Sequence, residues 1–199
     1  MLEQICAILD IEVFQCRATT VIPREFAFVL MNGKQTLEEG IFSYGIIPYF
    51  IPHRVEEDVW SAINARKFEI TGLNLHPDDD GGNVTRDGFI WMIAAWYDMI
   101  KTIDKRIVAY RGGKLEKDVL YWLNIPSLNL ETYGCPSFLD NYRYHDNYSI
   151  NSCGQHRFKR KINDNDSNGE EYCPIKKANF YRHWVLKETS KTTLLKNAA

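Results

Sequence analysis

Ile5 to Leu9 form an unbroken apolar run, partly β-branched, as in a strand buried on both faces. Two carboxylates, Asp10 and Glu12, close that run. Pro23 precedes a second strand over Glu25 to Met31, and Asn32-Gly33 is a strong turn dipeptide. A third, weaker strand is expected between Gly40 and Tyr49, which makes an antiparallel meander. Val55 to Lys67 reads as a helix and Leu75 to Asn83 as a loop. The best helix pattern spans Thr85 to Ile103, with Thr85 as N-cap. Phe89, Met92, Ile93, Trp96, Met99 and Ile100 fall there at helical spacing. Arg106 to Tyr110 is a short strand, Gly112-Gly113 a break, Leu115 to Leu123 a helix and Leu128 to Leu130 a last strand. The chain then turns polar and tyrosine-rich after Pro136. Asn163 to Gly169 reads as a loop, and a final helix is expected from about Glu170 to Glu188. Parallel strands added to a meander need helical crossovers, and helices stand where those crossovers fall. The expectation is one α/β domain over residues 1–188, a mixed sheet flanked by helices, with a flexible tail over 189–199.

Composition narrows the function classes. With 199 residues the chain suits one domain, and 45% hydrophobic and 25% charged residues are ordinary globular values. A formal net charge of −2 supplies no global basic field, so any nucleic-acid surface must be local. No apolar run reaches membrane-spanning length, and the opening MLEQICAILDIEVFQ lacks the basic start and cleavage site of a signal peptide. Five cysteines, an odd number, without a secretion signal favour a reducing compartment over a disulfide framework. Metal ligation then becomes a question for some of them.

Candidate chemistry begins with the carboxylates. Two-metal phosphodiester hydrolysis needs several of them converging on one point, because Mg²⁺ and Mn²⁺ take oxygen ligands. Asp10 and Glu12, two apart on a strand, face the same side. Asp-x-Glu at the end of the first strand, within this order of strands and helices, resembles the DEDDh exonucleases of ribonuclease H-like fold. That family has its next aspartate just after the fourth strand. Here the segment YRGGKLEKDVLYWL offers Glu116, with Asp118 as a rival. The family's closing histidine and aspartate, on the final helix, have no clean counterpart. His156, the weaker pair His145-Asp146, and Glu170 or Glu171 are the candidates. The acidic set therefore departs from the family pattern, which puts hydrolysis in doubt.

A second constellation is a C-x-x-H pair, Cys153 and His156, followed by Cys173. Zinc favours tetrahedral Cys and His sites, with a carboxylate able to complete the set. Pro23-Arg-Glu25-Phe-Ala-Phe-Val, then Cys153-x-x-His156, then Cys173 before PIKKANFYRHWV, resembles the Maelstrom domain. That relative of the DEDDh exonucleases carries a Glu-Cys-His-Cys zinc set in this order. The insert between His156 and Cys173 is longer here than that family has. The resemblance implies a structural zinc on Glu25, Cys153, His156 and Cys173, tying the second strand to the last helix.

Arg157, Phe158, Lys159, Arg160 and Lys161 form a basic run with one aromatic, able to meet phosphates and stack a base. Tyr142, Tyr144 and Tyr148 could add stacking, though tyrosines more often pack one ring face on a core. Asp78 to Asp80 do not continue into an EF-hand loop and read as a turn. Trp91 and Trp96 read as helix packing. The resemblance implies a protein directed at single-stranded RNA, in small-RNA silencing or RNA processing, in cytoplasm or nucleus. If it is active, Asp10, Glu12, Glu116 (or Asp118) and Glu170 would hold Mg²⁺ or Mn²⁺. Two alternatives stand beside it. One is a catalytically inactive adaptor with the zinc site and a protein or RNA partner. The other is a DNA or RNA exonuclease of a virus or mobile element.

Overall fold

The structure is a computed structural model. It describes residues 1–17, 20–32, 41–46, 86–142 and 172–197, with the backbone alone for 13–17, 20–24, 41–46, 86–87, 141–142 and 195–197. Strands β1 (Ile5–Arg17), β2 (Thr20–Leu30) and β3 (Ile41–Ile46) precede helix α1 (Arg86–Ile100). Strand β4 (Ile107–Tyr110), helix α2 (Lys114–Trp122) and strand β5 (Ser127–Asn129) follow. Helices α3 (Phe138–Tyr142) and α4 (Pro174–Asn197) close the described chain. The five strands make one sheet in the order β3-β2-β1-β4-β5. β2 runs antiparallel to both β1 and β3, while β4 lies parallel to both β1 and β5. The expected meander with parallel additions is therefore present. The expected helix over 55–67 and the cap at Thr85 lie outside the described residues.

Alternation along the strands sorts side chains into two layers. Ala7, Leu9 and Ile11 of β1, Phe26 and Phe28 of β2, and Val108 and Tyr110 of β4 pack with Phe89, Ile93 and Tyr97 of α1 and Val119 and Leu120 of α2. Phe26 meets the edge of Phe89 with ring centroids 4.7 Å apart, and Trp96 tilts over Phe26 and Phe28. The apolar line on α1 is Phe89–Ile93–Tyr97, at i, i+4 and i+8. Met99, expected on the inner face, lies off that line and is 70% exposed, as is Trp91. On the other side, Ile8, Ala27, Val29 and Ala109 pack with Ile175, Ala178, Tyr181 and Val185 of α4. Arg182 Nη2 donates to the carbonyl of Met31 and moors α4 to the end of β2.

The last helix differs in extent from the expected one. It begins at Pro174, where a proline loses no helical hydrogen bond, and Cys173 O accepts from Lys177 N–H as the cap. It continues through Asn197, so most of the expected tail is helical. Its hydroxyls are accommodated within the helix. Thr189, Ser190, Thr192 and Thr193 each donate to a carbonyl four residues back, at 2.8 to 3.1 Å, which satisfies them within the helix.

Candidate functional site: a buried carboxylate–ammonium centre

Strand alternation that places Ile8 under α4 also places Asp10 and Glu12 there. Both are buried, Asp10 at 5% exposure and Glu12 at 8%. Glu25 lies directly across from Glu12 in the β1–β2 ladder, in step with Ala27 and Val29, and is fully buried. The α4 layer therefore changes from apolar to acidic as β1 runs on.

Glu116 reaches the same centre by another route. β4 pairs with β1 only as far as Ile8 and Ala109, so the later backbone N–H groups on that edge lack a β4 partner. Glu116 Oε1 accepts from Ile11 N–H at 2.9 Å and takes over one of those positions. The chain can turn there because Gly112 adopts a left-handed φ of 75° and Gly113 caps α2. A Cβ on Gly113 would overlap Glu116 Oε2, so only glycine leaves room for the carboxylate folded back over the helix start. Asn129 Oδ1 at the end of β5 accepts from both Gly112 N–H and Glu131 N–H at 3.0 Å and braces that turn. The helix N-terminus also favours a negative charge in its first turn.

The counter-charge comes from α4. Lys177 Nζ lies 3.0 Å from Asp10 Oδ2 and 3.0 Å from Glu12 Oε2, and it donates a hydrogen bond to the latter. The same ammonium is the ion-pair partner of Asp10 Oδ2, a buried oxygen with no other partner among the described residues. Cys173, Lys177 and Tyr181 succeed one another at four-residue steps on α4 and all three influence Asp10 or are influenced by it. Burial opposes the charge on Lys177, but Asp10 and Glu12 outweigh it and hold the ammonium well above its ordinary range. Burial pushes Asp10 up to about 6 despite Lys177. Burial, then the neighbouring Asp10, push Glu116 up to about 7, against hydrogen bonds from its own and the Ile11 N–H. Burial and then Asp10 raise the Tyr181 phenol. Three carboxylates thus share one ammonium, and Asp10 and Glu116 accept protons readily to relieve the excess charge.

The expected residues divide as follows. Asp10, Glu12 and Glu116 come together. Asp118 does not join them; it is half-buried further along α2, where its charge, after burial and Glu116, acts on Tyr110. Glu25 and Cys173 are both buried on the α4 face. Cys153, His156, His145, Asp146, Glu170, Glu171 and the basic run 157–161 lie outside the described residues, as do Tyr144, Tyr148 and 78–80. Lys177 was not anticipated, and Gly113 was read only as part of a chain break. A lysine centred on the apolar stripe Cys173–Lys177–Tyr181–Val185 was the available signal for the first.

Among the described residues no three His, Cys, Asp or Glu side chains are gathered to hold a metal ion. A Mg²⁺ or Mn²⁺ ion would need the oxygens that Lys177 already engages, so the centre as built does not fit the divalent pair of a nuclease. Cys6 and Cys135 are buried free thiols, pushed by burial to about 11 and about 12, and so stay protonated and inert. No described helix is long and apolar enough to cross a membrane. The geometry defines an α/β domain in which the middle of β1 and the starts of α2 and α4 enclose a carboxylate–ammonium centre. The chain matches no protein-family model and no curated protein.

Proposed function

We propose that this chain is a ribonuclease H-like module of the Maelstrom type, directed at single-stranded RNA, that binds without cleaving. The observation that carries this reading is the convergence of Asp10, Glu12 and Glu116 where β1 continues beyond its pairing with β4, with Lys177 between the first two. The strand order β3-β2-β1-β4-β5, with β2 alone reversed, supports the fold assignment. Glu25 and Cys173, buried on one face, support a structural zinc completed by Cys153 and His156. Zinc there would tie β2 to α4 and contribute folding energy. Hydrolysis by two metals needs carboxylates open to divalent ions, and an internal ammonium ion takes up two of the three. The basic run Arg157–Lys161 with Phe158 supplies the RNA-contact chemistry.

The test is an RNA- and DNA-binding assay run beside a cleavage assay with Mg²⁺ or Mn²⁺, on wild type and on Asp10→Ala/Glu12→Ala. Retained RNA binding without cleavage is the expected result. Metal-dependent cleavage lost in the double variant would replace this reading with a nuclease. Preference for DNA would then favour the exonuclease of a virus or mobile element. Purified wild type should hold stoichiometric zinc, lost in Cys153→Ser or His156→Ala; zinc-free protein would remove the Maelstrom part of the assignment.

A further inference from the structure

We infer that Lys177 is the resident cation of the acidic centre, excluding a divalent ion from the native chain, and that removing it opens a site for one; this rests on reading Asp10, Glu12 and Glu116 as the remnant of a metal centre, and not on RNA binding. Its Nζ lies 3.0 Å from one oxygen of each of two carboxylates that alternate along a single strand. A divalent ion bridging Asp10 and Glu12 would have to approach those oxygens more closely, to about 2.0–2.6 Å. It would then meet the ammonium as a like charge in a buried setting. Both cannot occupy the centre.

The lysine is also held there by the fold. Lys177 is set on α4 between the buried residues Cys173 and Tyr181, one turn away on either side. α4 is fixed to the sheet by Ile175, Ala178 and Val185 and by the Arg182 bond to Met31 O. A cation attached to the chain does not dissociate, so its occupancy does not depend on metal concentration. The remaining oxygens suit a cation once the ammonium is gone. Without Lys177, the buried Asp10 Oδ2 has no partner left among the described residues, and Glu116 stands near enough to act electrostatically on Asp10.

The probe is Mn²⁺ alone, added to the full chain, with uptake followed by the loss of the free-ion paramagnetic resonance signal. Wild type should take up no Mn²⁺ that depends on Asp10. Lys177→Met, close in shape but uncharged, should bind the ion stoichiometrically and melt at a temperature that rises with its concentration. Both effects should vanish in Asp10→Asn/Lys177→Met. Mn²⁺ uptake by wild type that Asp10→Asn abolishes would overturn the exclusion. A folded Lys177→Met that ignores Mn²⁺ would make the lysine a structural partner only, and the idea would fall. Should Lys177→Met not fold in metal-free buffer, it is refolded with Mn²⁺. Recovery supports the inference, and failure while Asp10→Asn/Lys177→Met folds overturns it. RNA is absent from every arm, so loss of the RNA-binding reading leaves this result intact.

Discussion

The two faces of the sheet begin alike and end differently. Under α1 and α2 the described inward positions of the strands are apolar, from Leu9 and Ile11 through Phe26 and Phe28 to Val108 and Tyr110. Under α4 the pattern starts the same way, with Ile8, Ala27 and Val29, and then turns to Asp10, Glu12 and Glu25. An apolar face is stabilised in proportion to the area it buries, with no partner to find and no charge to titrate. An acidic face depends on partners, and here Asp10, Glu12 and Glu116 face one ammonium. Buried carboxylates without full pairing weaken a fold at neutral pH. Such local conflict with folding rules is characteristic of functional sites. Both faces carry an apolar cluster, and only the face under α4 adds buried carboxylates to it.

The largest expected effect lies on the apolar face. Phe26→Ala should cost about 3–5 kcal/mol in chemical denaturation, equally at about pH 5 and about pH 8, because the rings it meets, Phe89 and Trp96, do not titrate. A loss that changes with pH would show that the two faces are coupled.

Next comes the pH dependence of the acidic face. Asp10 and Glu116 have folded-state values of about 6 and about 7, above their ordinary 3.8 and 4.5. The folded state thus binds these protons more tightly than the unfolded chain. Their contribution is most favourable below about pH 4 and is lost as pH rises through about 6 and about 7. Lys177 has the same sign at the alkaline end: its two carboxylates hold the ammonium above its ordinary 10.5, so the stability it contributes is lost as pH rises beyond that value. Glu116→Gln keeps an oxygen for Ile11 N–H and removes the charge. It should melt higher than wild type at pH 8 by several degrees, with the gap closing by pH 5. A variant that melts lower at pH 8 would show that the carboxylate charge is matched by a cation after all.

The smallest effect tests how Glu116 is delivered. Gly113→Ala should cost roughly 1–3 kcal/mol, because the new methyl displaces the carboxylate and leaves Ile11 N–H without its acceptor. In a Glu116→Ala background the same change should cost nearly nothing. Equal costs in both backgrounds would mean that Gly113 is needed for the backbone of the turn alone.

Much of this was legible beforehand. Apolar runs located β1, β2, α1, β4, α2 and β5, because a strand or helix buried on one side must repeat its apolar positions at its own period, but β1 runs on to Arg17 and β2 begins at Thr20, with Pro23 inside it. Spacing two apart was enough to place Asp10 and Glu12 on one face, since a strand alternates sides. The Gly112-Gly113 break marked the turn that needs a left-handed φ. Met99 was misplaced because several apolar residues on α1 compete for one face, and packing against Phe26 and Phe28 selects Phe89, Ile93 and Tyr97. The end of α4 was misjudged because serines and threonines are poor helix formers, yet here the helix continues through them to Asn197 with their hydroxyls bonded back to its own carbonyls.

The chain alone therefore determined the periodic elements and which carboxylates share a strand face, because both follow from local geometry. Only the tertiary structure decided that Glu116 reaches Ile11 across the end of β4 and that Lys177 is the partner of Asp10 and Glu12. Those contacts join residues more than a hundred positions apart, and no local pattern states where a helix will dock or which charge its stripe will bring.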